Sequence, residues 1–276
     1  MSLASAPAAG WDGHVHVFEA HAAIRVGHYV PAERPLPDIE SLAHEHGIGH
    51  LVIVQPSVYG TDHAVLLRAL RARPGRHRGV AVLTAAASDR ELDELHAAGV
   101  RGVRFNLVSP AAHPGDPAED LRALAPRLRE RGWHVQWYVQ AGQLAQVAAW
   151  QVTHRLTFVL DHLAGLHTGL PDDAPAWDHA NTLAREGAWI KLSGWYRLGA
   201  AAPYDALVPT IRRAALLFGE RTLWGSDWPH TSFTAAPPPG YDTLLAPVRA
   251  ALGDTDFRAL LNERAPRLYL DPKGPP

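Results

Sequence analysis

Short apolar runs rich in β-branched and aromatic residues alternate with amphipathic stretches along almost the whole chain. The runs predict strands over 11–18, 50–55, 79–83, 100–106, 133–140, 157–161, 189–193 and 222–226. Between them, apolar residues recur at helical spacing over 38–46, 62–73, 90–98 and 118–131, and later over 178–186, 204–218 and 241–251. Asp38 and Asp62 read as N-caps, and Gly99 as a C-terminal stop. Repeated strand–helix units imply a parallel sheet, and eight of them imply one closed (β/α)8 TIM barrel over 11–270. An open doubly wound sheet is the second choice, weakened because no glycine-rich phosphate loop follows the first strand. Residues 1–10 read as a flexible N-terminus and 271–276 as a tail. Pro- and Gly-rich segments at 31–37, 110–117 and 237–240 read as loops inside the barrel, with 29–37 and 110–117 as candidates to close over a pocket.

Composition narrows the picture. The 276 residues carry a net charge of −2, so no basic stripe points to nucleic acid. No apolar run reaches the ~18 residues of a membrane span, and the N-terminal segment is a poor secretory signal. There is no Cys, hence no disulfide framework and no thiolate metal site. The expectation is a cytoplasmic enzyme of undetermined oligomeric state.

In a (β/α)8 barrel the chemistry sits at the C-terminal ends of the strands. Those ends are polar here. The first strand carries His14 and His16, two residues apart and therefore on one face. A lone histidine in such a place is usually a satisfied core residue; a pair on the first of eight strands argues for function. Asp161 and His162 end the sixth strand, where a buried charged pair is costly without partners. Asp227 ends the eighth strand, and its plain alternative role is a helix N-cap before Pro229. The fourth strand offers Arg104 and Asn106, the fifth Tyr138, and the segment after the seventh Arg197. Ser57, Tyr29 and His230 lie in segments that could line the mouth. His44, His46 and His50 read as solvated, and His63, His77 and His96 as lacking convergent partners.

Gly13-His14-Val15-His16, Asp161-His162 and Gly225-Ser226-Asp227-Trp228-Pro229-His230 resemble the amidohydrolase superfamily. The segments Val54-Gln55-Pro56-Ser57-Val58-Tyr59-Gly60-Thr61-Asp62, Arg101-Gly102-Val103-Arg104-Phe105-Asn106 and Lys191-Leu192-Ser193-Gly194-x-Tyr196-Arg197 narrow the resemblance to its 2-pyrone-4,6-dicarboxylate lactonase group. The resemblance implies a hydrolase that opens a small carboxylated lactone and needs no metal, with Arg104 and Arg197 binding substrate carboxylates. Asp227 is then expected to take a proton from water, while His14, His16 and His162 polarise the lactone carbonyl. Tyr138, Asn106, Ser57, Tyr29 and His230 are further substrate-binding candidates.

Two departures matter. Metal-binding members of the superfamily use a histidine at the end of the fifth strand; here Tyr138 and Gln140 stand there, and His134 lies at the strand's start. His14, His16 and Asp227 would still suffice for one divalent ion, zinc first, so a metal-dependent hydrolase of a muconolactone or sugar lactone, or a decarboxylase, is the alternative. The lactonase group also places a second Arg a few residues after Arg104, whereas this chain continues Leu107-Val108-Ser109-Pro110. His113 is the nearest substitute. The expected partner is a small anionic lactone.

Overall fold

The structure is a computed structural model that describes residues 9–25, 30–109, 113–231 and 238–270. Eight parallel strands pair in sequence order: β1 (Gly10–Val15), β2 (Ile48–Val54), β3 (Arg78–Ala81), β4 (Val100–Asn106), β5 (His134–Tyr138), β6 (Phe158–Leu160), β7 (Trp189–Leu192) and β8 (Thr222–Trp224). Just beyond β8, a single bridge between Val15 and Trp228 and a bond from His16 N to Trp228 O (2.8 Å) bring the last strand back to the first. This is the expected barrel.

The helices are α1 (Leu36–Glu45), α2 (Ala64–Ala72), α3 (Asp89–Ala98), α4 (Pro117–Glu130), α5 (Leu144–His154), α6 (Pro175–Arg185), α7 (Val208–Phe218), α8 (Tyr241–Ala259) and α9 (Ala265–Tyr269). Each buries one apolar face against the strands, as Leu92 and Leu95 do in α3, and Leu121, Leu124 and Leu128 in α4. Gly99 stops α3 in the left-handed region at φ 109°. Two capping expectations need correction. α1 starts at Leu36, with Pro35 as its N-cap, so Asp38 lies in the first turn and favours the helix through its dipole. Asp62 lies one residue before the N-cap His63, yet its carboxylate still accepts from Ala64 N at 2.9 Å.

The barrel interior is layered along its axis. Trp11, Val52, Val54, Val80, Val159, Trp189 and Leu223 form an apolar interior cluster with Ala265 and Tyr269 of α9, which closes the floor at the N-terminal strand ends through contacts of Tyr269 with Trp11 and Arg78. His134 belongs to this floor, edge-on to Tyr269 at 5.4 Å, far from the opposite mouth as its place in β5 predicts. Alternation along the strands then sends Arg104, Gln136, Asp161 and Lys191 inward one layer higher, all buried. Among the described residues no helix is long and apolar enough to cross a membrane.

Candidate active site

The site forms where the polar strand ends converge. His16 stands just past β1, and its Nδ1 lies 2.7 Å from the carbonyl of Val54. That oxygen can only accept, so the His16 proton sits on Nδ1 and its Nε2 faces inward as a lone pair when the ring is neutral. His14 Nε2 lies 3.3 Å from His16 Nε2. His162 enters from the end of β6 with φ 50°, and its Nδ1 meets Ser193 Oγ at 2.9 Å. Gly194 makes room for that ring: a Cβ there would stand 2.5 Å from His162 Nδ1.

Asp227 follows β8 in the left-handed region at φ 61°, with its amide bonded to His14 O at 2.9 Å. A non-glycine residue held there is strained, a feature that concentrates at working sites. Its helix N-cap alternative is not what the structure shows: no α-helix begins directly after it. Oδ2 accepts from Tyr196 Oη and Arg197 Nε, each at 2.7 Å. Oδ1 accepts no hydrogen bond among the described residues and faces His14, His16 and His162 Nε2 at 3.7, 3.5 and 3.8 Å. Burial opposes the charge of Asp227, but Arg197 and the surrounding histidines outweigh it and hold the carboxyl well below its ordinary range. Burial pushes His14 well below the ordinary imidazole value and His162 down to about 3.

Beneath this cluster lies a charged layer. Lys191 Nζ donates to Gln136 Oε1 at 2.6 Å and sits 3.4 Å from both His14 Nδ1 and Asp161 Oδ1. Asp161 Oδ2 accepts from Gln136 Nε2 at 3.0 Å and Arg104 Nε at 3.1 Å. Burial works against the Asp161 charge, yet Lys191, His14 and Arg104 together keep it ionised, well below its usual range. Burial also brings Lys191 down to about 8. Lys191 and Gln136 were missed in the sequence; the available signal was a lysine in the apolar strand Trp189–Leu192.

The structure places the other candidates around the rim. Arg104 is 4% exposed, committed to Asp161 through Nε, with its guanidinium 5.3 Å over the Tyr138 ring. Tyr138 stands edge-on to His162 at 5.0 Å, and Arg197 approaches its hydroxyl at 3.4 Å. Asn106 donates to Ser57 Oγ at 3.0 Å while its Oδ1 accepts from Val108 and Ser109 N, so it shapes its own loop. His230 is buried against Tyr196 and pushed down to about 4 by burial. Tyr29 lies outside the described residues. His113 does not stand in for the absent Arg: its Nε2 is held by Asp120 at 2.7 Å. His63 and His77 differ from expectation too, being buried on Val82 O and Glu40. A cavity of about 380 Å³ lined by Tyr138, Gln140, His162, His167, Leu170 and Arg197 opens beside the cluster.

The amidohydrolase family model matches residues 11–270, and the chain belongs to that family. Within it, the chain is 32% identical to the 2-pyrone-4,6-dicarboxylate hydrolase of Comamonas testosteroni, over 81% of this chain and 78% of that one. It is 28% identical to the 4-sulfomuconolactone hydrolase of Rhizobium radiobacter, over 82% and 78%. A solved amidohydrolase of Burkholderia multivorans with bound zinc is 25% identical, covers 95% of this chain and 99% of its own, and superposes with a TM-score of 0.74.

Proposed function

We propose that the protein is a hydrolase that opens a small carboxylated lactone of the 2-pyrone-4,6-dicarboxylate or muconolactone type, in the cytoplasm. The observation that carries this reading is Asp227 Oδ1, without a hydrogen bond among the described residues and faced by three imidazole Nε2 atoms at 3.5–3.8 Å. A lactone carbonyl oxygen seated among the imidazoles receives donors, and a water beside Oδ1 meets a base. Asp227 takes the water proton as the hydroxide oxygen bonds to the carbonyl carbon. His14 and His162 stabilise the oxyanion through Nε2–H, while His16, whose Nδ1 proton is committed to Val54, offers its Nε2 to His14 and orients that ring. When the ring C–O bond breaks, the Asp227 proton passes to the leaving oxygen.

Arg197 links binding to this chemistry. It holds Asp227 Oδ2, and a carboxylate so held is a weak base. A substrate carboxylate competes for the same guanidinium, which loosens that hold and makes Asp227 more basic. Arg104 offers its terminal nitrogens to a second anionic group, since they bond to none of the described residues. With no Arg at 107–112, the site has one cation fewer than the lactonase pattern, so Arg104 and Arg197 carry the recognition of the substrate's anionic groups.

One geometric observation supports the metal alternative. Zinc bonds of ~2.0–2.2 Å in a tetrahedron set ligand atoms ~3.3–3.6 Å apart. His14 Nε2, His16 Nε2 and Asp227 Oδ1 are separated by 3.3, 3.5 and 3.7 Å, so these residues fit a divalent ion. Such an ion would supply a Lewis acid and an activated water. We keep the metal-free reading first because β5 ends in Tyr138 where a fourth histidine ligand would stand. The named relatives act on lactones, which does not favour the decarboxylase alternative.

The test is Asp227→Asn. The variant should fold and bind lactone but lose about 1000-fold or more in kcat, as expected when a general base is removed together with its charge. Turnover within threefold of the parent would remove Asp227 from the mechanism.

A further inference from the structure

Among the described residues Lys191 is the one buried ammonium, at the centre of the barrel, and no step above uses it. Its Nζ donates to Gln136 Oε1 at 2.6 Å, forms an ion pair with Asp161 Oδ1 at 3.4 Å and faces His14 Nδ1 at 3.4 Å. The last contact bears on chemistry. A neutral imidazole has one N–H, and which nitrogen carries it decides whether His14 Nε2 enters the site as a donor or as a lone pair.

We infer that Lys191 is a positioning residue that holds His14 as its Nε2–H tautomer and so makes the site a proton-donor site rather than a ligand site. An ammonium faces a nitrogen only where that nitrogen has a lone pair, so His14 Nδ1 accepts and the proton lies on Nε2. The far end of the chain agrees independently. Val54 O can only accept, which places the His16 proton on Nδ1 and leaves its Nε2 to accept from His14 at 3.3 Å. The direction is therefore fixed at both ends: Lys191 to His14 to His16 to Val54. The competing partner for Nδ1 is Asp161 Oδ1, 3.2 Å away, but a proton held there would leave the Nε2 lone pairs of His14 and His16 facing each other at 3.3 Å with no proton between them. Were His14 to donate to Asp161 instead, two lone pairs and the Asp227 carboxylate would converge, an arrangement that calls for a cation.

The inference rests on the metal-free reading above, and its test separates the two because the tautomer is read without turnover. The protein is labelled with 15N-histidine, freed of metal with chelator, and the His14 signals are assigned by difference against His14→Asn. The expected result is a protonated Nε2 and an unprotonated Nδ1 for His14. A protonated Nδ1 overturns the inference, whatever the enzyme does with any lactone. The second arm is Lys191→Met. The expected result is a His14 proton moved to Nδ1, kcat for 2-pyrone-4,6-dicarboxylate lower by about 100-fold with KM within threefold, and zinc bound at least about tenfold more tightly in equilibrium dialysis. An unmoved proton in the folded variant overturns the inference as well; if the variant does not fold, the measurement on the parent protein decides alone.

Discussion

At the scale of single residues, Asp227 divides its work between two oxygens. Oδ2 is saturated by Tyr196 and Arg197, and Oδ1 is left to the three imidazoles. This asymmetry places a prediction on Arg197. Arg197→Gln removes a charge-assisted contact of ~1.5–3 kcal/mol with a substrate carboxylate. Steady-state kinetics on a carboxylated lactone should show kcat/KM lower by about 10- to 100-fold, mainly through KM. An unchanged KM would separate Arg197 from substrate binding. The residues that bear this chemistry were legible because His14, His16, His162 and Asp227 sit where a barrel exposes its strand ends. Lys191 stands out only as a charge in an apolar strand, and neither it nor Gln136 reveals in sequence the partners that the other strands bring to it. The engagement of Arg104 with Asp161 likewise depends on two strands 57 residues apart in sequence.

At the scale of elements, the eight strands and most helices could be read from periodicity, while their ends could not. Strands one and five were expected to reach Phe18 and Gln140 but end at Val15 and Tyr138. In both, apolar residues continue past the last ladder bond into loops that build the mouth, and Phe18 pairs with Arg34 in an isolated bridge. Helix α5 has no clear periodic signature because its sequence, LAQVAAWQVTH, has little contrast between faces. The expected helix over 204–218 starts only at Val208, after a short 3-10 turn. One link between backbone and site can be tested directly. Gly194, at φ 65°, lies against the ring of His162. In Gly194→Ala the left-handed backbone costs ~1–2 kcal/mol, and the added methyl must displace the imidazole. Thermal unfolding should show lower stability and kinetics at least about tenfold lower kcat. Wild-type turnover would mean that the position of His162 does not matter.

At the scale of the whole molecule, the barrel separates an apolar floor from a charged centre, and both have consequences for pH. His134, His162 and His230 are pushed by burial to about 3, 3 and 4. Their folded values lie below the ordinary 6.5, so on acidification from about 6.5 toward 3 the unfolded chain binds more protons than the folded one. Stability is therefore present above that window and is lost as pH falls through it. Asp161 and Asp227, held below the usual carboxylate value of 3.8, add a further loss at lower pH. The melting temperature should drop by about 4 °C or more between pH 7 and pH 5. An equal or higher melting temperature at pH 5 would show that these histidines are not buried neutral.

The most direct measurement is the hydrolysis of 2-pyrone-4,6-dicarboxylate and of 4-sulfomuconolactone by the purified protein in excess chelator, each followed by loss of lactone absorbance and then repeated with zinc. Turnover of at least one of them in chelator, with no gain from zinc, is the predicted result, because the donors on His14 and His162 then suffice. Activity that appears only when zinc is restored, or none with either lactone, would contradict it.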